Sequence, residues 1–113
     1  TYMLSKVLFQ LGASDVARSW YEKALKRATD EGEQEYLAKL KLVYALYMEQ
    51  DDQEVRKNIA ILDEMELWTE TADLSMEIAE YYESKADFEK AAYYFKHGHF
   101  AKNKIIKVSE ELL

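Results

Sequence analysis

The residues best equipped for chemistry are few. The chain has 113 residues, with two His and no Cys, which excludes a disulfide, a thiolate metal site and a cysteine nucleophile. The two imidazoles, His97 and His99, stand at i, i+2. On a helix such a pair points about 160° apart, whereas chelation of one ion by a helix uses i, i+4 neighbours. They read as surface histidines, and no metal site is expected. Asp73, Glu77 and Glu80 share helix faces, but no histidine, glycine-rich loop or nucleophile stands beside them to complete an acid–base constellation. Ser, His and Asp occur without a spacing that would join them, and there is no phosphate loop. The expectation is a stretch with no catalytic residues, no cofactor and no metal, and therefore no enzyme activity of its own.

Charge narrows the partners. The formal net charge is −7, the wrong sign for a chain that neutralises phosphates, so nucleic acid is not an expected ligand. The distribution is uneven. Residues 49–89 carry 14 acidic and 3 basic side chains, a net of −11, whereas residues 90–107 carry five Lys and no acid. The acidic stretch suits steering of a cationic partner. No apolar run approaches the roughly 20 residues that span a bilayer, and no signal peptide opens the chain. A cytoplasmic location and no membrane partner are expected. The first residue is Thr1, which suggests a segment of a larger protein.

Hydrophobic residues make up 49% and charged residues 33%, with three Gly and no Pro, the balance of a folded chain with little loop. Breaks at Gly12-Ala13-Ser14, Glu31-Gly32-Glu33, Gln50-Asp51-Asp52, Trp68-Thr69 and Lys85-Ala86-Asp87 separate stretches of helical periodicity. Helices are predicted over 2–11, 14–30, 33–49, 52–66, 70–85 and 88–112, with Ser14, Asp52 and Asp87 as N-caps. No segment shows the alternation of a half-buried strand. The fold class is all-α: three antiparallel helix pairs, stacked, with a long last helix. Between 33 and 49, Tyr36, Leu37, Leu40, Val43, Tyr44 and Tyr47 form one stripe, while Leu42, Ala45, Leu46 and Met48 make most of the rest apolar. A helix apolar nearly all round has to be covered on more than one side.

The second helices of the three pairs align. Ala17, Val55 and Ala91 take one position, Tyr21, Ile59 and Phe95 the position four later, and Ala24, Leu62 and Gly98 the position three after that. The spacing i, i+4, i+7 is one helical face, whose small residues let a paired helix approach closely. Successive copies lie 38 and 36 residues apart. The run from Ile78 to Ala91, with Ala79, Tyr82, Ala91 and Phe95 in signature positions, resembles the tetratricopeptide repeat. Ala86 stands where that family usually has Gly, no Pro closes a repeat, and the periods exceed the family's length of about 34. The resemblance implies one repeat domain over 1–113, with repeats at about 1–31, 33–67 and 69–112, wound as a right-handed superhelix.

A narrower resemblance rests on the long repeats, the segment Leu62-Asp63-Glu64-Met65-Glu66-Leu67-Trp68, and Tyr94-Phe95 followed by Phe100-Ala101-Lys102-Asn103-Lys104-Ile105. These look like the peptide-pheromone sensors of Gram-positive bacteria, the Rap-type aspartate phosphatases and the PlcR- and NprR-type regulators. That resemblance implies a sensor segment for a short peptide, with a generic scaffold that grips a folded protein as the alternative. The effector regions of that group lie N-terminal to the repeats, so no phosphatase or DNA-binding activity carries over. Their grooves use Asn side chains, whereas this chain has only Asn58 and Asn103, neither on a helix placed at the groove.

In such a stack the first helix of each pair lines the concave wall. The positions expected to face a ligand are Tyr2, Lys6, Phe9 and Gln10, then Leu40, Tyr44 and Tyr47, then Met76, Glu80 and Glu83. Flat tyrosines supply contact area at low entropic cost, and carboxylates fix register. Tyr44→Ala with Glu80→Ala is expected to weaken a ligand and leave the helical melt unchanged. Gly98 is read as a close-packing position inside one long helix, costing roughly 1 kcal/mol against Ala. The apolar end of helix 98–112 is a candidate self-association surface.

Overall fold

The computed structural model describes the backbone of residues 14–112 and the side chains of residues 15–107. The first expected helix, with Tyr2, Lys6, Phe9 and Gln10, lies outside the described residues. Five helices follow: α1 Ser14–Glu31, α2 Gln34–Tyr44, α3 Asp52–Glu64, α4 Trp68–Ser84 and α5 Phe88–Leu112. No strand occurs among the described residues. The chain divides into two compact units, Thr1–Ile61 and Leu62–Leu113.

One turn geometry recurs at the ends of α1, α3 and α4. Gly32, Glu66 and Ala86 adopt positive φ of 69°, 57° and 61°. Beyond each, an amide reaches back to the carbonyl five residues earlier: Glu33 N to Ala28 O at 3.0 Å, Leu67 N to Leu62 O at 3.1 Å, and Asp87 N to Tyr82 O at 2.9 Å. This left-handed cap satisfies helix-terminal carbonyls and reverses the chain within three residues. The next helix starts at once, which is why the connections are short. The αL residue is Gly in only one of the three, and a side chain there is disfavoured by roughly 1 kcal/mol. Ala86→Gly is therefore expected to raise the urea midpoint, by about 0.5–1 kcal/mol of stability, while Ala92→Gly at an exposed position in the second turn of α5 lowers it by about 1 kcal/mol. Equal destabilisation by both would contradict the cap.

The fourth break falls at Met65-Glu66-Leu67, not at Trp68-Thr69. Glu66 takes the αL position and Trp68 already opens α4, so the apolar Leu67–Trp68 step is a helix start and not a loop. The expected helix 33–49 is also interrupted. After Tyr44 the ladder widens into one π turn over Ala45–Glu49, closed by Gln50 at φ 53° with Asp51 N on Ala45 O at 3.0 Å. The apolar pattern runs smoothly through this turn and gives no sign of it. The caps shift too: the Asp51 carboxylate accepts the Glu54 amide at 3.3 Å. Asp52, one residue inside, pairs with Arg56 at 2.8 Å. Asp87 caps α5 as expected, accepting the Lys90 amide at 3.3 Å.

Burial follows the repeat. Ala17, Val55, Ala91, Ile59, Ala24, Leu62 and Gly98 are buried and Tyr21 and Phe95 half-buried, so the repeated face turns into the packing in each copy, with its aromatic positions at the margin. Ala38, Leu40, Leu42, Val43, Ala45 and Leu46 are buried as well, the expected covering of a nearly all-apolar helix. In the second unit α5 lies along α4, and a Cβ on Gly98 would stand 3.3 Å from Met76 Sδ and 3.4 Å from Ser75 Cβ.

Candidate functional site

In the first unit the expected contact residues lie on α2 and its π turn. Leu40 is 0% exposed; it is a core residue and offers nothing to a ligand, because its stripe turns into the packing. Tyr44 is half-buried and stacks on Tyr21 of α1, ring centroids 3.8 Å apart and planes within 7°. Its removal would unpack α1 from α2, so Tyr44→Ala is not the neutral change the sequence suggests. Tyr47 is half-buried. Burial first, then the charges of Glu49, Tyr44 and Glu54, push the Tyr21 phenol up to about 12. It stays protonated at neutral pH and is no base.

The second unit presents a two-faced α4. Thr71, Ala72, Leu74, Ser75, Ile78, Ala79 and Tyr82 are buried. On the opposite arc Asp73, Glu80 and Glu83 are exposed and Glu70 and Glu77 half-buried. The steps 70, 73, 77 and 80 are i+3 and i+4, so four carboxylates run along one face. Such like-charge neighbours oppose each other by a few tenths of a kcal/mol per pair, so this face gains from any cation brought to it. Met76 is half-buried, its sulfur directed to the position of Gly98. It belongs to the α4–α5 seam more than to an open wall. Of the expected contact residues described, Glu80 and Glu83 alone are exposed.

Two features escaped the sequence. A cleft of about 350 Å³ in the first unit is lined by Trp20, Lys23, Ala24, Arg27, Ala28, Glu31, Glu33 and Tyr36; of these the sequence placed Ala24 alone on the repeated packing face. His97 is the other. It is not a plain surface histidine: its side chain is 20% exposed and Nε2 lies 2.9 Å from Asp63 Oδ2, close but without the alignment of a hydrogen bond. His99 is exposed. No group of three or more His, Asp or Glu among the described residues is placed to hold a metal, and no described helix is long and apolar enough to cross a membrane.

No family model matches the chain. Two regulatory proteins of Bacillus subtilis (strain 168) are similar in sequence. RapF is 24% identical over 95 residues, 83% of this chain and 25% of that protein. RapD is 30% identical over 99 residues, 86% of this chain and 28% of that protein. The chain thus spans between a quarter and three-tenths of these relatives. Among solved structures, the Rap conjugation gene regulator of plasmid pLS20, in complex with a Phr peptide, superposes with a TM-score of 0.90 and 34% identity, over 99% of this chain and 31% of that one. Apo RapI gives a TM-score of 0.88 at 21% identity over 94% of this chain and 39% of its own, a likeness of fold. Sequence and fold together make the chain an all-α, tetratricopeptide-like repeat segment resembling part of the Rap regulators.

Proposed function

We propose that this chain is the peptide-sensing part of a cytoplasmic bacterial regulator, with residues 1–113 acting as one repeat domain. The observation that carries the reading is the likeness to the pLS20 regulator. At 34% identity over 99% of this chain, it exceeds fold alone, and that protein is seen in complex with a Phr peptide. The chemistry of α4 agrees with it. The open carboxylate of Glu80, in line with Asp73 and Glu77, and that of Glu83 one turn further on suit the amino terminus or basic side chains of a short peptide. Tyr47 is the contact candidate on the first unit, and Tyr2, Lys6, Phe9 and Gln10 remain candidates by position. No phosphatase activity is proposed for this stretch.

The test is capture of short peptides from spent culture medium on the immobilised chain, read by mass spectrometry. Glu80→Gln with Glu83→Gln removes two exposed charges without touching the core, and is expected to weaken the captured peptide roughly fivefold or more. Undiminished capture by that variant would reject the α4 face. Recovery of an intact folded protein in place of a peptide would make the segment a scaffold.

A further inference from the structure

Charge is sorted by helix in the second unit. α4 carries the carboxylates of Glu70, Asp73, Glu77, Glu80 and Glu83 and no basic residue, whereas α5 carries five Lys and no acid between residues 90 and 107. Among the described residues no ion pair joins α4 to α5, and Lys96, Lys102 and Lys107 form none. The two helices meet through their buried faces, around Ser75 and Gly98. Their charges therefore lie on the outer sides of the pair, and one copy does not neutralise its own α4 with its own α5.

The lysines share their face with two aromatic rings. Tyr93, Lys96, Phe100, Asn103 and Lys107 follow one another by steps of three and four, the spacing with which one helix lies along another. All five are exposed, Tyr93 by 43% and Phe100 by 46%. On α4, Glu70, Asp73, Glu77 and Glu80 repeat the same spacing, with Asp73 and Glu80 exposed. The two faces are complementary: the rings supply contact area, and the lysines meet carboxylates. The net charge of −7 opposes contact between copies through other faces. We propose that the Tyr93–Lys107 face of α5 docks onto the acidic arc of α4 in a second copy of this chain. Because the two patches differ, the copies join head to tail and form rings or open chains. Glu80 belongs to the proposed peptide face as well, but this association needs no peptide and is tested without one.

The test is light scattering of the whole chain over a concentration series. The mean mass is expected to rise with concentration at low salt and to return to that of one chain in roughly 0.5 M salt, where exposed charges are screened within a few ångströms. Lys96→Glu with Lys107→Glu, or Asp73→Lys with Glu80→Lys, is expected to weaken association about 10-fold or more. An equimolar mixture of these two variants is expected to recover it, because each reversed face then meets its complement. Lys26→Glu with Lys57→Glu makes the same change in net charge on exposed residues of α1 and α3 and is expected to alter association less than about 2-fold. Far-UV circular dichroism checks that each variant keeps its helices. A single-chain mass at every concentration in low salt would overturn the proposal. So would association that survives either reversal, a mixture that stays dissociated, or equal weakening by the α1 and α3 variant.

Discussion

Tyr94→Ala is expected to cost about 4 kcal/mol, the largest loss from any single side chain of the second unit. Tyr94 is 0% exposed and lies on the buried face of α5. Its ring stacks on Tyr82 of α4, with centroids 5.8 Å apart and planes within 18°, and meets Tyr93 edge to face at 5.0 Å. Truncation removes the apolar area of the ring and both aromatic contacts. It also leaves a cavity between two helices whose backbones are fixed by the short turn at Ala86, so the gap cannot collapse. A domain of this size has only about 5–15 kcal/mol of total stability, so the variant should melt far below the parent. Tyr94→Phe keeps the ring and should cost less than about 1.5 kcal/mol. Urea denaturation of the two variants checks this. If Phe proves as damaging as Ala, the loss lies in the hydroxyl and the packing account fails.

What could be read from the sequence divides along physical lines. Helix positions and the repeated i, i+4, i+7 seam were legible because both depend on local periodicity, and Ala17, Val55 and Ala91 are buried where that periodicity puts them. The αL turns were half legible. Gly32 signals its own, whereas Glu66 and Ala86 adopt the same conformation without a residue that prefers it, because helix packing on either side overrides local preference. The π turn over Ala45–Glu49 had no local signal at all. The contact residues were hardest. A tyrosine on an inner helix looks the same in sequence whether it faces a ligand or, like Tyr44, lies flat on Tyr21. Leu40 failed for the same reason, since an all-apolar helix does not declare which face stays open. The exposure of Glu80 and Glu83 was legible, because charges this dense are rarely buried.

Carboxylates along α4 also bear on how a ligand could act on the fold. Their mutual repulsion opposes the helix, and a bound cation removes that penalty, so occupancy and helix stability are coupled by the same charges. A peptide that binds the acidic face should therefore raise the melting temperature of the second unit more at low salt than at high salt.

Gly98 gives the second large effect, and its size depends on the substituent. Between helices packed as closely as α4 and α5, an added Cβ at residue 98 would lie 3.3 Å from Met76 Sδ and 3.4 Å from Ser75 Cβ. Ser75 Cβ is tied to the α4 backbone, but at 3.4 Å it is in ordinary contact. The Met76 thioether is the tighter neighbour, and it is a half-buried, flexible side chain that can move by a few tenths of an ångström. Gly98→Ala therefore sets about 1 kcal/mol of helix propensity against a small shift of Met76, and is expected to change stability by less than about 1 kcal/mol. Gly98→Leu has no such outlet, because the added atoms continue into the α4 surface around Ser75, which is fully buried. Its expected cost is about 3 kcal/mol, through separation of the two helices. The second variant Met76→Ala in the Gly98→Leu background isolates the cause. If the sulfur is the obstacle, removing it restores about half the loss by coupling between neighbours. If stability stays where it was, the resistance comes from the Ser75 side of α4, and the seam is set by backbone approach and not by the methionine.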